Sequence, residues 1–386
     1  MHLEKHIHSY MENNLPLFKE VVKKLYDHPE IGNEEFESAK TICTLLEEEN
    51  FNVEKPYILP TGFKAVYEGC KPGLNIAFLC EYDALPEIGH GCGHNLIAAI
   101  SLGAACAMKK IVDTCGGTIY VFGTPAEETD GGKVYMANAN AFDTMDAAFM
   151  IHPDTTSTLA ARTLSINPVR FEFFGKNAHA CDPYNGNSAL DAAVLSYTSI
   201  NMLRQFAKSG TFIHGIFKNG GTAANIIPDY ACLDYYFRSP SMPYTLEISD
   251  KGEECVKGAC LATGCTYKKS IYECPYDDCI INYTLCDMLK EEYEKLDVED
   301  IMPVSEIPNG SSDIGSVSYR CPTLHGYIKI ANSDINCHSV EFADATISPK
   351  GDEALLKGAI ALAQIARRLI VEEGAMDKVK EEFNKK

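Results

Sequence analysis

Positive charge is scarce in this chain of 386 residues: 34 Lys and Arg stand against 54 Asp and Glu, a formal net charge of −20. No Lys/Arg-rich run concentrates that basic charge, so the balance repels phosphate backbones and anionic lipid, and neither nucleic acid nor membrane is an expected partner. Long apolar runs are also missing: no uninterrupted stretch approaches the ~20 residues of a bilayer span. The opening Met1-His2-Leu3-Glu4-Lys5-His6 has neither the basic nor the apolar region of a leader, and a cytoplasmic location is expected. Internal repeats and low-complexity tracts are absent.

Cysteine, by contrast, is plentiful, with 16 residues. None of Cys255, Cys260, Cys265, Cys274, Cys279 and Cys286 has the Cys-x-x-Cys spacing of a zinc ribbon, which argues against a structural zinc there. Many thiols sit inside apolar runs (Cys80, Cys106, Cys232, Cys321) and read as reduced and buried rather than as a disulfide framework. The composition, 46% hydrophobic and 23% charged, is that of a globular chain, and the length exceeds the roughly 250–300 residues at which a single core stops growing. Two domains are expected.

Apolar spacing predicts two opening helices between Tyr10 and Asn50, broken at His28-Pro29-Glu30-Ile31-Gly32-Asn33. Short strand-like runs follow at 64–67, 74–80, 118–122 and 147–151, with helical stretches between them, the alternation of an α/β sheet with crossover helices. From Pro168 a second pattern begins: strand, helix (188–206), two strands (211–217, 230–238), helix (244–263), strand (266–272). That order is ferredoxin-like. After Tyr276 the chain returns to helix and short strands, ending in an amphipathic helix over 352–372 and a Lys-rich tail, 378–386, expected to be a frayed helix terminus. The predicted fold class is therefore α/β: a mixed-sheet domain with helices on both faces, residues 1–165 and 278–386, carrying an inserted ferredoxin-like α+β lid, 166–277.

The strand ends carry the chemistry. Glu81 to Asn95 follows the strand ending at Cys80, beyond the carboxyl end where α/β sheets place their sites. Within it Cys92, flanked by glycines, and His94 are free to converge on one borderline or soft divalent ion, although the pair alone suits an incidental Gly-rich loop equally well. Glu127 and Glu128 follow the next strand; adjacent carboxylates there point in different directions, so one can bind metal while the other faces water as general base, the plainer alternative being a solvated acidic loop. His152 ends a third strand, and His338 in Asn336-Cys337-His338-Ser339 adds a further imidazole. Three successive strands ending in ligand-type residues are hard to explain as surface decoration. Five ligands exceed the needs of one ion and suggest two metals with a bridging side chain, for which Cys92 is a candidate. His90 is a candidate for orienting the loop; His2, His6, His8, His28, His214 and His325 read as structural or exposed.

Together, Asp83-Ala84-Leu85-Pro86, Gly89-His90-Gly91-Cys92-Gly93-His94-Asn95, Glu127-Glu128, His152-Pro153 and His338-Ser339 resemble the aminoacylase and carboxypeptidase family of dinuclear metallopeptidases, peptidase family M20. The similarity is strongest to its amidohydrolase subfamily of aminoacylase-1-like and aminobenzoyl-glutamate hydrolase-like members, and His28-Pro29-Glu30-Ile31 with Glu34-Glu35-Phe36 extends it to the N-terminal region. The resemblance implies a phosphorylase/hydrolase-like fold of the zinc-peptidase type and two divalent ions, Zn or Mn with Co or Ni as alternatives, on Cys92, His94, Glu128, His152 and His338. It implies Glu127 as general base and Asp83 as the residue orienting the ligands. In the lid it implies that His179 enters the partner subunit's site in a homodimer, and that Asn225 and Arg238 hold the substrate or its carboxylate. Lid packing and turn formation are the plainer alternatives for these three. The chain departs from most of the subfamily in Asn95, where Asp is usual, and in Glu81, again usually Asp; the first bears on substrate class.

The expected activity is hydrolysis of the amide bond of N-acyl or N-aminoacyl amino acids by metal-activated water. A dipeptidase or carboxypeptidase on the same scaffold is the alternative enzyme; a non-catalytic metal-binding protein is the alternative of another class.

Overall fold

The structure, a computed structural model, describes residues 2–308 and 310–385. It divides into two compact units. The first combines the chain up to Arg162 with Cys279–Pro308 and the segment beginning at Asp313; the second is Thr163–Asp278 with a short segment ending at Ser312. That short segment is absent from the sequence expectation; Leu164 ties it in by donating its backbone N–H to the Gly310 carbonyl at 2.8 Å.

In the first unit six strands lie in the order Asn52–Glu54, Phe63–Glu68, Thr118–Gly123, Asn75–Cys80, Ala147–Asp154 and Thr323–Lys329. The last four are parallel, while Phe63–Glu68 runs antiparallel to both its neighbours. Because the chain leaves Asn75–Cys80 for the neighbour on one side and then crosses to the neighbour on the other, the order reverses at the carboxyl end of that strand. Such a reversal opens the crevice in which α/β sheets hold ligands.

Alternate residues of the central strands enter two cores. Ile76, Phe78 and Cys80 pack with the helices His94–Cys115 and Pro349–Val371, while Ala77 and Leu79 pack with Met136, Phe142, Ile314 and Val317. Helices thus cover both faces, which is why these strands read as continuous apolar runs. Each fully buried side chain, such as Phe78 or Phe149, is worth about 1.5–3 kcal/mol relative to exposure. Among the described residues one helix, His94–Cys115, is long and apolar enough to cross a membrane, and 89% of its apolar window is buried inside the protein.

The second unit has the strand order Thr266–Ile271, Ser165–Phe174, Tyr230–Ser239, Phe212–Asn219, with every neighbouring pair antiparallel. The helices Ala189–Leu203 and Met242–Thr263 cover one face, closing over Val169, Phe171, Phe173, Leu233, Tyr235 and Phe237. This is the ferredoxin-like arrangement. On the other face Arg170 forks onto Asp234, with bonds of 2.6 and 2.8 Å.

The Lys-rich tail is not a frayed helix end. Gly374, in the left-handed region at φ 74°, separates a further helix, Ala375–Phe383, which buries Met376 and Val379 and receives a hydrogen bond from Asn282 Nδ2 to Val379 O at 3.0 Å.

Candidate metal centre

Three strand ends and one distant loop build the site, all within the first unit. Cys80 is followed by Glu81 and Asp83, both buried. The next turn leads to Gly93, whose φ of 80° only glycine adopts freely and where a Cβ would overlap the Pro153 ring. His94 then opens its helix directly behind the strand ends. Thr124 donates its N–H to Cys80 O at 2.8 Å, locking two strand ends side by side. Ala126 adopts φ 59°, a left-handed conformation that is strained for a residue with a Cβ. Its N–H donates to Glu35 Oε1 at 2.8 Å and its carbonyl accepts from Asp130 and Gly131 at 3.0 and 2.8 Å, so the turn carrying Glu127 and Glu128 is held from both sides. Burial pushes the Glu35 carboxyl up to about 6. His338 is likewise left-handed, at φ 64°, and donates its N–H to Gly91 O at 3.0 Å.

Asp83 organises the cluster. Its Oδ1 faces His94 Nδ1 at 2.9 Å, and its Oδ2 accepts the Glu128 N–H at 3.0 Å. In the neutral ring, the form that binds a metal ion, that carboxylate accepts the Nδ1–H and leaves the lone pair on Nε2. His152 Nδ1 donates to Pro153 O at 2.6 Å, which frees its Nε2 in the same way. Cys92 Sγ donates to Glu128 Oε1, and the same oxygen lies 3.6 Å from His338 Nε2 and 3.9 Å from His94 Nε2. Ligand atoms fall into three groups, each within 4.8 Å: Cys92, Glu128 and His338; His94, Glu127 and Glu128; and Glu81, His94 and His152. Glu128 and His94 are each common to two groups, and Cys92 belongs to one.

The electrostatics suit cations. Burial raises the Cys92 thiol out of the neutral range. Burial by itself would lower His94, but the Asp83 and Glu81 charges override it and hold the imidazole well above its ordinary value. Glu127 is pushed well above the carboxylate range by burial and by the charges of Asp313 and Glu81. Among these carboxylates lies the buried Lys133, with Nζ 2.5 Å from Glu81 Oε1 and 2.6 Å from Asp313 Oδ1. Imidazole, thiol and carboxylate donors converging in an anionic cluster form a donor set that fits divalent metal ions.

Several contributors escaped the sequence reading. Glu81 registered there only as a departure, yet it stands inside the cluster. Lys133 and Asp313 are 180 residues apart and are joined by the ion pair and by the Lys133 N–H on Asp313 Oδ2 at 2.9 Å; no local pattern announces them. His325, expected to be structural or exposed, is buried with its ring centroid 6.0 Å from that of His152 and 4.7 Å from that of Tyr327. Burial drives its pKa down to about 3, which keeps it neutral behind the site. His90 is also buried and driven down to about 3 by burial.

His179, Asn225 and Arg238 belong to the second unit. Ile226 pairs with His179 across a short two-stranded ladder, and Ala180 donates its N–H to Asn225 O at 2.9 Å, so His179 and Asn225 are neighbours. His179 is exposed, and its Nδ1 accepts the Cys181 N–H at 3.1 Å, which assigns the ring proton of the neutral form to Nε2. Arg238 lies near the end of its strand with its guanidinium 5.3 Å from the Tyr236 ring centroid.

Comparison with known proteins identifies the family. A sequence model of peptidase family M20/M25/M40 matches residues 77–368, a span that starts on the central strand and includes the entire ligand cluster. The chain belongs to this family. Like other M20 members it is a hydrolase of amide bonds. It is 37% identical to mouse (Mus musculus) Xaa-Arg dipeptidase over 377 residues, 94% of this chain and 87% of that protein. It is 34% identical to a p-aminobenzoyl-glutamate hydrolase subunit of Escherichia coli K12 over 69% of this chain and 59% of that one. A solved M20 structure from Bacillus subtilis, described as a dinuclear metal-binding peptidase, shares the fold with a TM-score of 0.67 at 18% identity, covering 92% of this chain and 99% of that one. The M20 family is the one expected from the motif strings.

Proposed function

We propose that this M20 hydrolase is a dipeptidase that releases a C-terminal basic amino acid, using two divalent ions held by Cys92, His94, Glu128, His152 and His338. The observation that carries the reading is the convergence of those five donors beside Glu127 at the switch point of the sheet. Bound there, two such ions would supply polarisation of the scissile carbonyl and a water whose pKa falls from about 15.7 toward roughly 7. Thiol and imidazole donors favour zinc, while the carboxylates also admit Mn, Co or Ni.

This chain's residues do the rest. Asp83 holds His94 with Nε2 toward the site and fixes the Glu128 backbone. Glu127 accepts the proton of the attacking water and passes it to the leaving amine. His179, in a homodimer, donates Nε2–H to the oxyanion in the partner's site, and Asn225 and Arg238 bind the substrate carboxylate. Support for the dimer comes from the second unit's own surface. Its terminal strand Phe212–Asn219 leaves Phe212 and Ile216 exposed, and Met202 and Phe206 stand 63% and 79% exposed at the end of the adjoining helix and just beyond it. An apolar sheet edge of this kind marks an interface.

The basic C-terminal residue is supported by the 37% identity to Xaa-Arg dipeptidase and by the net charge of −20, which attracts a cationic substrate. Unblocked Xaa-Arg and Xaa-Lys dipeptides, N-acetyl amino acids and aminobenzoyl-glutamate, assayed side by side on zinc- and manganese-loaded protein, test it. The basic dipeptides are expected to lead in kcat/KM by roughly tenfold or more. A lead for aminobenzoyl-glutamate or the N-acetyl amino acids contradicts the substrate assignment.

A further inference from the structure

Glu81 is buried to 1% exposure at the end of the central strand, yet its Oε2 receives no hydrogen bond. Its Oε1 is occupied by the ion pair with Lys133, which Asp313 holds from the far side. Its Oε2 lies 3.3 Å from His94 Nε2. That nitrogen is the one that carries the lone pair in the neutral ring, and the contact lacks hydrogen-bond geometry. The third donor of the group is His152, whose Nδ1 is bound to Pro153 O. A buried carboxylate oxygen and two imidazole nitrogens thus converge within 4.8 Å of one another.

We propose that Glu81 is a sixth metal ligand of this protein, giving Oε2 to the ion held by His94 and His152; the inference rests on reading the cluster as a dinuclear metal centre. The spacing is that of two ligands on one ion. With metal–ligand bonds of about 2.0–2.1 Å, neighbouring ligands of a tetrahedral centre stand about 3.3–3.4 Å apart. Lys133 is the positioning residue: by holding Oε1 it leaves one oxygen for the metal and makes Glu81 monodentate. A Glu at this position reaches one methylene farther than an Asp would. The second ion keeps Cys92, Glu128 and His338, a complete group without Glu81.

The test is made on zinc-loaded full-length protein. Glu81→Gln, which preserves volume, is compared with the unaltered protein by chelator competition and, after cobalt substitution, by the visible d–d absorption of the metal. One ion is expected to bind at least about 10- to 100-fold more weakly with an altered d–d band, while the other binds unchanged. Two ions retained at unaltered affinity with the same spectrum overturn the proposal. Glu81→Gln leaves Lys133 one anion short, so a structure of the zinc-loaded unaltered protein provides a second measurement that does not depend on that variant folding. Glu81 Oε2 within about 2.2 Å of an ion is expected, and a separation of a full coordination shell overturns the proposal. Failure of the dinuclear reading itself looks different, because the unaltered protein then binds no pair of ions.

Discussion

Glu127→Gln is expected to lower kcat by on the order of 100- to 10,000-fold, the range lost with a general base, while both ions stay bound and the fold is unchanged. Glutamine fills the same space but has no proton-accepting carboxylate. The native group is suited to the role by its surroundings: burial and the nearby charges of Asp313 and Glu81 raise its proton affinity well beyond that of an ordinary carboxylate. The neighbouring Glu128 contrasts with it, since its Oε1 receives Cys92 and lies near His94 and His338. Removing Glu128 should expel metal, whereas removing Glu127 should not. Steady-state kinetics together with metal content distinguish them, and near-normal kcat in Glu127→Gln contradicts the assignment of the base.

His179→Ala is expected to reduce kcat by about 100- to 1,000-fold, the usual loss for one oxyanion donor, with metal content and oligomeric state intact. The imidazole is exposed on the second unit, and its Nδ1 is engaged by the Cys181 N–H, so the neutral ring offers Nε2–H as a donor. If that donor acts in the partner's site, mixing Glu127→Gln with His179→Ala chains restores activity. A mixed dimer then contains one site with both groups native. Equal loss of metal and turnover in His179→Ala, or no recovery on mixing, contradicts a role in trans.

The parts of the fold visible in the sequence are those whose cause is local. The runs Asn75–Cys80 and Ala147–Asp154 read as strands because both faces are covered and nearly every position stays apolar. The six segments of the second unit read correctly because strand and helix periods alternate between turn residues. The Lys-rich tail misled because polar composition suggests fraying, while Met376 and Val379 at helical spacing are what dock it. Within the site, Cys92, His94, Glu127, Glu128, His152 and His338 were legible as ligand-type residues at strand ends and in a matching loop. Lys133, Asp313 and His325 were not. A buried Lys is indistinguishable in sequence from a solvated one, and what pairs it in the interior is a carboxylate 180 residues away. Glu35 escaped for a related reason: its carboxylate caps the strained Ala126 turn from a helix start 91 residues earlier.

The central claim is that donors scattered from position 92 to position 338 close on a pair of cations. Anomalous diffraction from zinc-loaded crystals, collected on both sides of the zinc edge, measures it most directly. Two peaks are expected, one against Cys92, Glu128 and His338 and the other against His94 and His152, and both disappear after chelation along with turnover. A single peak, or peaks away from these side chains while hydrolysis continues, contradicts the account.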